Sequence, residues 1–203
     1  MELSKQRQFS ELSEHAWGCR VCPELADKTA VLSGLNGSLE PKVFFIAEAP
    51  GRQGADPTRR PFYGDKSGDN FQILLDSIGL SRDEIFVTNA VLCSPRTVTG
   101  ANRKPTSKEV GNCSAFLKRT LELINPLLVA TLGSVALRAI KAIEPHGLTL
   151  KDNAGRPAEW NGRRLVPLYH PSPQVIAAQR GLLLQLEHFQ ILKQMIVSET
   201  TDK

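Results

Sequence analysis

Four stretches of the chain are apolar almost without interruption: KVFFIAEA (42–49), EIFVTNAVLC (84–93), PLLVATLG (126–133) and RRLVPLYH (163–170). Short runs that are continuous rather than alternating suit strands covered on both faces, as in a parallel sheet. Between them the period changes to that of a helix. Phe71, Leu74, Leu75 and Ile78 fall at i, i+3, i+4 and i+7, and the pattern stops at Gly79. Pro105 and the box Thr106-x-x-Glu109 open a further helix, with Val110, Cys113, Leu117, Leu121 and Ile124 along one side. Another follows Gly133, and Leu182, Leu186, Phe189, Leu192 and Ile196 mark a closing amphipathic helix. Residues 4–17 read as a first helix, and Asn161-Gly162 reads as a hairpin turn before the last strand. Strand–helix alternation of this kind means an α/β sandwich with a mostly parallel sheet. With no repeat and no long linker, residues 1–203 read as a single domain.

Composition narrows the picture only a little. The chain has 203 residues and a formal charge of +4. Its pI is about 9.0, a mild lean toward an anionic partner. No run of about 18 apolar residues is present, so no transmembrane helix is expected. The N-terminal stretch is charged and has no apolar core of a signal peptide, which points to the cytoplasm or the nucleoid. The cysteines carry more information. Cys19 and Cys22 form a C-x2-C pair, and Cys93 and Cys113 lie far downstream with nineteen residues between them. In a reducing compartment disulfides are not expected, and four thiolates make a complete tetrahedral set for zinc or for iron–sulfur.

In open α/β sheets ligands bind outside the carboxyl ends of the strands. That rule brings Glu48 to Gly51, Asn89, Gly133-Ser134 and the run His170-Pro171-Ser172-Pro173 to one edge. Asn89 offers a donor and an acceptor in one plane, a match for the O4/N3–H edge of uracil; otherwise it caps a strand end. Phe62, in a Pro-Phe-Tyr-Gly loop, is placed to stack on a base or to anchor its loop in the core. His170 is placed to donate to a carbonyl oxygen that gains charge as a base leaves. Glu48 and Asp65 are candidate acids for an N-glycosidic bond, where positive charge builds on the sugar and a water needs orienting. Asp65 also suits a helix cap. A carboxylate at the end of an apolar strand, as at Glu48, is costly without a role. The glycines do not spell G-x-G-x-x-G, which speaks against a dinucleotide site.

Taken in order, IAEAPG, RPFYGDKSG, NAVLCSP, ATLG and YHPSP resemble the motifs of the uracil-DNA glycosylase superfamily, over about residues 15–196. The cysteine framework resembles its iron–sulfur branches, families four and five. The resemblance implies a three-layer α/β/α sandwich around a four-stranded, mostly parallel sheet. It implies release of uracil from DNA, and a [4Fe–4S] cluster on Cys19, Cys22, Cys93 and Cys113; a structural zinc is the alternative. Glu48 matches the acid beside the water, Phe62 the ring over uracil, Asn89 the base-reading amide and His170 the imidazole. Ala49 and Gly51 would approach the flipped base. The segment Pro171–Val175, with Ser172 and Gln174, matches the loop that wedges into the duplex, and Arg180 joins Arg52, Arg59, Arg60, Arg103 and Lys104 as candidate phosphate contacts.

The signature is mixed. The family-five pattern carries an acid at the position of Asp65 and typically lacks the one at Glu48; this chain has both. Which acid leads, and whether deaminated purines are substrates beside uracil, stays open on the sequence. The segment TVTGANRK lengthens the gap between Cys93 and Cys113 beyond the family-four pattern. A nucleic-acid-binding protein without catalysis is the competing reading. The expected partner is uracil-containing DNA, met by a monomer away from any membrane.

Overall fold

The computed structural model describes residues 4–178 and 181–201. The four apolar runs are strands: β1 (Val43–Ala47), β2 (Ile85–Asn89), β3 (Leu128–Leu132) and, last in the chain, β5 (Arg163–Leu168). All residues of β1, β2 and β3 are buried, as strands covered on both faces must be. The one strand not anticipated is β4 (Ala158–Trp160), which pairs antiparallel with β5 through the Asn161-Gly162 turn. The sheet therefore has five strands in the order β2-β1-β3-β5-β4, four of them parallel. β4 escapes a hydrophobicity scan because it is three residues long and only Trp160 is buried.

Helices cover both faces. The longer ones are α1 (Lys5–Gly18), α3 (Lys66–Ile78), α4 (Ser107–Ile124) and α8 (Leu182–Thr201). Shorter helices are α2 (Ala55–Thr58), α5 (Ser134–Ala139), α6 (Leu150–Asn153) and α7 (Pro173–Ala177). On one face Phe44, Ile46, Phe86, Val129 and Leu165 pack with Phe9 of α1, Leu117 and Leu121 of α4 and Ala136 of α5. On the other, Phe45, Val87, Ala130 and Val166 pack with Phe71 and Leu74 of α3 and Phe189 and Leu192 of α8. Alternate residues of each strand feed opposite cores, which makes three layers. Among the described residues no helix is long and apolar enough to cross a membrane.

The anticipated helix ends are built as the sequence specifies. Thr106 and Glu109 form a reciprocal capping box at the start of α4. Gly79 closes α3 in the left-handed region, with φ of 71°. These caps fix where α3 and α4 begin and end, and with them the loops that border the site.

Candidate active site

A cleft of about 800 Å³ opens at the carboxyl ends of β1, β2 and β5. Glu48, Ala49, Gly51, Phe62, Asp65, Asn89, His170, Ser172 and Gln174 all border it, so the topology brings together what the motifs kept far apart in sequence. Pro171 stands next to the cleft, buried, with its carbonyl oxygen accepting from Asn70 Nδ2 at 2.9 Å. Arg180 lies outside the described residues.

Asn89 ends β2, and its ladder partner is Ala47, the last residue of β1. The residue is 4% exposed, yet its Nδ2 has no hydrogen-bond partner among the described residues. An unsatisfied buried donor costs on the order of 1–3 kcal/mol, so the cap reading does not account for this amide. Glu48, one residue past the end of β1, is half-buried, and among the described residues its carboxylate enters no salt bridge or hydrogen bond. Burial raises its pKa, and the charges of Lys104 and Arg138 work against that rise.

His170 follows β5 and lies against the ring of Phe62, with centroids 5.4 Å apart and planes at 41°. The residue as a whole is partly buried. Burial lowers its pKa to about 4, so the imidazole is neutral at ordinary pH. Gly133, with φ of 96°, leaves the room for it, because a Cβ there would stand 3.3 Å from the Cβ of His170.

Phe62 serves both purposes considered for it. Its ring stacks on Phe71 at 4.6 Å, joining the core, and it also borders the cleft. Its backbone sits at φ of 51°, a left-handed conformation that an aromatic residue adopts only when its surroundings impose it. The imposing group is Arg82. This guanidinium donates to the carbonyl oxygens of Pro61 at 3.0 Å and Phe62 at 2.6 Å, and to Gln72 Oε1 at 3.1 Å. It also lies over the Phe71 ring, 5.0 Å from the centroid. Burial lowers its pKa to about 10, which still leaves it charged at neutral pH. Nothing in the sequence marks Arg82, which reads as one charge among several in SRDE.

Asp65 is the N-cap of α3, and its Oδ1 accepts from the Gly68 N–H at 2.9 Å. Its other oxygen packs over the turn: a Cβ on Gly54 would come within 2.4 Å of Oδ2. The cap is therefore real, and the same side chain borders the cleft. The segment after Cys93 also contributes, with Asn102, Arg103 and Lys104 on the cleft wall. Of these, motif reading reached only the charges of Arg103 and Lys104.

The four cysteines come from the end of α1, the turn after it, the segment after β2 and the middle of α4. All are free thiols. Burial first, then the neighbouring Cys19 and Cys22, push Cys93 up to about 11. Burial pushes Cys113 up to about 12, with Cys93, Cys19 and Cys22 adding to it. Two N–H groups are aimed at sulfur: Asn112 Nδ2 at Cys22 Sγ, 3.3 Å, and the Leu92 amide at Cys113 Sγ, 3.4 Å. Among the described residues, no three or more His, Cys, Asp or Glu form a ready cage for a single metal ion.

Comparison with known proteins agrees with this arrangement. The profile of the Uracil DNA glycosylase superfamily matches residues 36–194. A Type-4 uracil-DNA glycosylase of Thermotoga maritima is 33% identical over 170 residues, covering 83% of this chain and 84% of its own. A Type-4 uracil-DNA glycosylase of Archaeoglobus fulgidus is 33% identical over 81% of each chain. A Type-5 uracil-DNA glycosylase of Pyrobaculum aerophilum is 34% identical, covering 76% of this chain and 78% of its own. With that profile across most of its length, and four of the five motifs lining one cleft, the chain belongs to the uracil DNA glycosylase superfamily.

Proposed function

We propose that the protein is a DNA glycosylase that hydrolyses the bond between uracil and deoxyribose, starting base excision repair. The observation that carries this reading is the unpaired Nδ2 of Asn89 at the floor of the cleft. A buried donor held beside a carbonyl acceptor of the same amide is complementary to O4 and N3–H of uracil. It favours catalysis on a bound base over mere DNA binding, which has no use for a buried, unpaired amide on the wall of the cleft.

The remaining residues then have defined tasks. The nucleotide swings out of the stack into the cleft. Phe62 covers the base, while Ala49 and Gly51 let the backbone approach it. The glycosidic bond breaks with its electron pair going to the base nitrogen. Neutral His170 donates a hydrogen bond to the base oxygen on which that charge collects. Glu48 stabilises the positive sugar and takes a proton from the water that adds at the anomeric carbon. Asp65 mainly caps α3. Pro171, Ser172 and Gln174 bear on the duplex, and Arg180 on a phosphate.

Cys19, Cys22, Cys93 and Cys113 would hold a [4Fe–4S] cluster. The donor set fits: four thiols from separate segments neighbour one another, and two N–H groups point at sulfur. Through these four residues a bound cluster would cross-link the N-terminal segment, the segment after β2 and α4. We read residues 1–203 as one domain that works as a cytoplasmic monomer.

The test is a base-release assay. Oligonucleotides carrying one uracil, hypoxanthine or xanthine, single- and double-stranded, are incubated with the protein and treated with alkali. Scission at uracil, lost by about two orders of magnitude or more in Asn89→Ala, is expected from the loss of a paired edge contact in the transition state. Scission at the purines as well would extend the substrate range and raise the weight on Asp65. DNA binding without scission at any base would replace this reading with that of a binding protein.

A further inference from the structure

Residues 95–104, which follow the end of β2, form a small closed loop. Arg96 and Asn102 pair across its base as an antiparallel bridge. The Thr97 N–H donates to the Ala101 carbonyl at 2.8 Å, and the Gly100 N–H to the Thr97 carbonyl at 2.9 Å. The Ala101 N–H also donates to Thr97 Oγ1 at 3.1 Å, and that hydroxyl is 2.9 Å from the hydroxyl of Thr99. The base of the loop is tied down from three sides. Arg96 pairs with the buried Asp56. The Arg52 N–H donates to Asn102 Oδ1 at 3.0 Å. Arg103 donates to the Arg96 carbonyl at 3.0 Å and grips both oxygens of Glu109 at 2.8 and 2.6 Å.

What this bracing presents to solvent is an apolar tip. Val98 is fully exposed at 106%, the highest among the exposed large hydrophobics of the described residues. A lone exposed valine on a surface is ordinary. This one sits on a loop whose base, through Pro95, Asn102 and Lys104, is also the wall of the cleft. The sheet order adds its position. With β2 at one edge and β5 two strands beyond β1, the Val98 segment leaves the sheet on the β2 side of Glu48 and the His170–Pro173 turn leaves it on the β5 side. Three strand spacings separate those flanks, about 14 Å. Lys104, exposed and in no salt bridge among the described residues, borders the same mouth, and exposed Arg52 stands in sequence between two lining residues, Gly51 and Gln53; the two charges favour an anionic occupant.

We infer that the Val98 tip is a second apolar wedge, bearing on double-stranded DNA on the flank opposite the Pro171–Gln174 turn. The inference rests on reading the cleft as a glycosylase site. An apolar wedge gains by entering a base stack, which a duplex offers and a loose single strand does not. The tip therefore sets preference between strand states, while the chemistry stays with the cleft.

The test compares wild type, Val98→Ala and Val98→Asp on uracil in the same sequence, single- and double-stranded. A second readout is the brightening of 2-aminopurine placed opposite the uracil, which reports unstacking. The ratio of duplex to single-strand kcat/KM is expected to fall about tenfold in Val98→Asp and about threefold in Val98→Ala. The 2-aminopurine signal should fall with it. An unchanged melting temperature checks the fold, since the side chain packs on nothing. A wild type active on uracil, with ratio and brightening unmoved in both variants, overturns the wedge and leaves the glycosylase reading intact. A wild type that releases uracil from neither substrate removes both.

Discussion

Arg82 Nη2 donates to the carbonyl oxygen of Phe62 at 2.6 Å, while its guanidinium covers the Phe71 ring on which Phe62 stacks. One buried cation thus fixes the backbone, at φ of 51°, and the ring plane of the residue proposed to cover the base. Arg82→Met should raise KM for uracil-containing DNA about tenfold with a smaller change in kcat. Arg82→Lys, which lacks the planar fork that serves Pro61, Phe62 and Gln72 from three nitrogens, should recover only part of this. Phe62→Ala combined with Arg82→Met should cost scarcely more than Phe62→Ala alone, since both act through one ring. Additive losses in that cycle would separate Arg82 from Phe62.

The two carboxylates are expected to part company. Glu48→Gln removes the only acid in the cleft free of hydrogen-bond partners among the described residues, and should lower kcat by about a hundredfold or more. Asp65→Asn keeps a side chain that caps helices about as well as aspartate, so its stability should change little. Asp65→Ala should lose about 1 kcal/mol of stability, read as a lower melting temperature. A large kcat loss in Asp65→Asn with the melting temperature held would move the acid role to Asp65.

The pH behaviour follows from His170 and Glu48. A histidine held at about 4 in the folded state and near 6.5 in the unfolded state leaves the unfolded chain binding more protons between those values. Its contribution to stability is complete above pH 6.5 and lost as pH falls toward 4, a span worth roughly 3 kcal/mol at most. His170→Gln should flatten the urea stability profile over that window. Activity should follow Glu48 instead: kcat/KM falls as pH drops through its raised pKa, and Glu48→Gln abolishes that acid limb. An acid limb unchanged in Glu48→Gln would assign it to another group.

The cysteines should behave as fasteners. The purified protein is expected to be brown, with absorbance near ~400 nm from thiolate-bound iron. Cys93→Ala should lose that absorbance together with melting temperature and soluble yield. A colourless wild type carrying one zinc per chain would replace the cluster, and a stable, colourless, active Cys93→Ala would remove the fastening role.

Much of this was legible in the sequence, because strand ends are. Glu48 and His170 stand at the ends of apolar runs and Asn89 follows the apolar stretch IFVT, and a parallel sheet converts that into spatial proximity. Capping signals gave the starts of α3 and α4 for the same reason: they are local. What stayed hidden depends on partners far along the chain. Arg82 looks like a surface charge until its contacts with Pro61 and Phe62, about twenty residues earlier, are known. Asp56 looks exposed until Arg96 reaches it across forty residues. β4 was too short for any periodicity, and only its Asn161-Gly162 turn gave it away. The lengthened segment after Cys93 was visible as extra length, but its rigidity was not.

The ladder pairing of Ala47 with Asn89 has a consequence for how such an enzyme can change. Acid and amide are indexed to one another by backbone hydrogen bonds, so inserting a single residue within β1 or β2 would turn one of them away from the cleft. The segments beyond the strands carry no such index. Lengthening the stretch after Cys93, or reshaping the turn after His170, leaves the chemistry in register. Evolution is then free to adjust which DNA is admitted by editing loops, while the reaction is kept under the stricter discipline of the sheet.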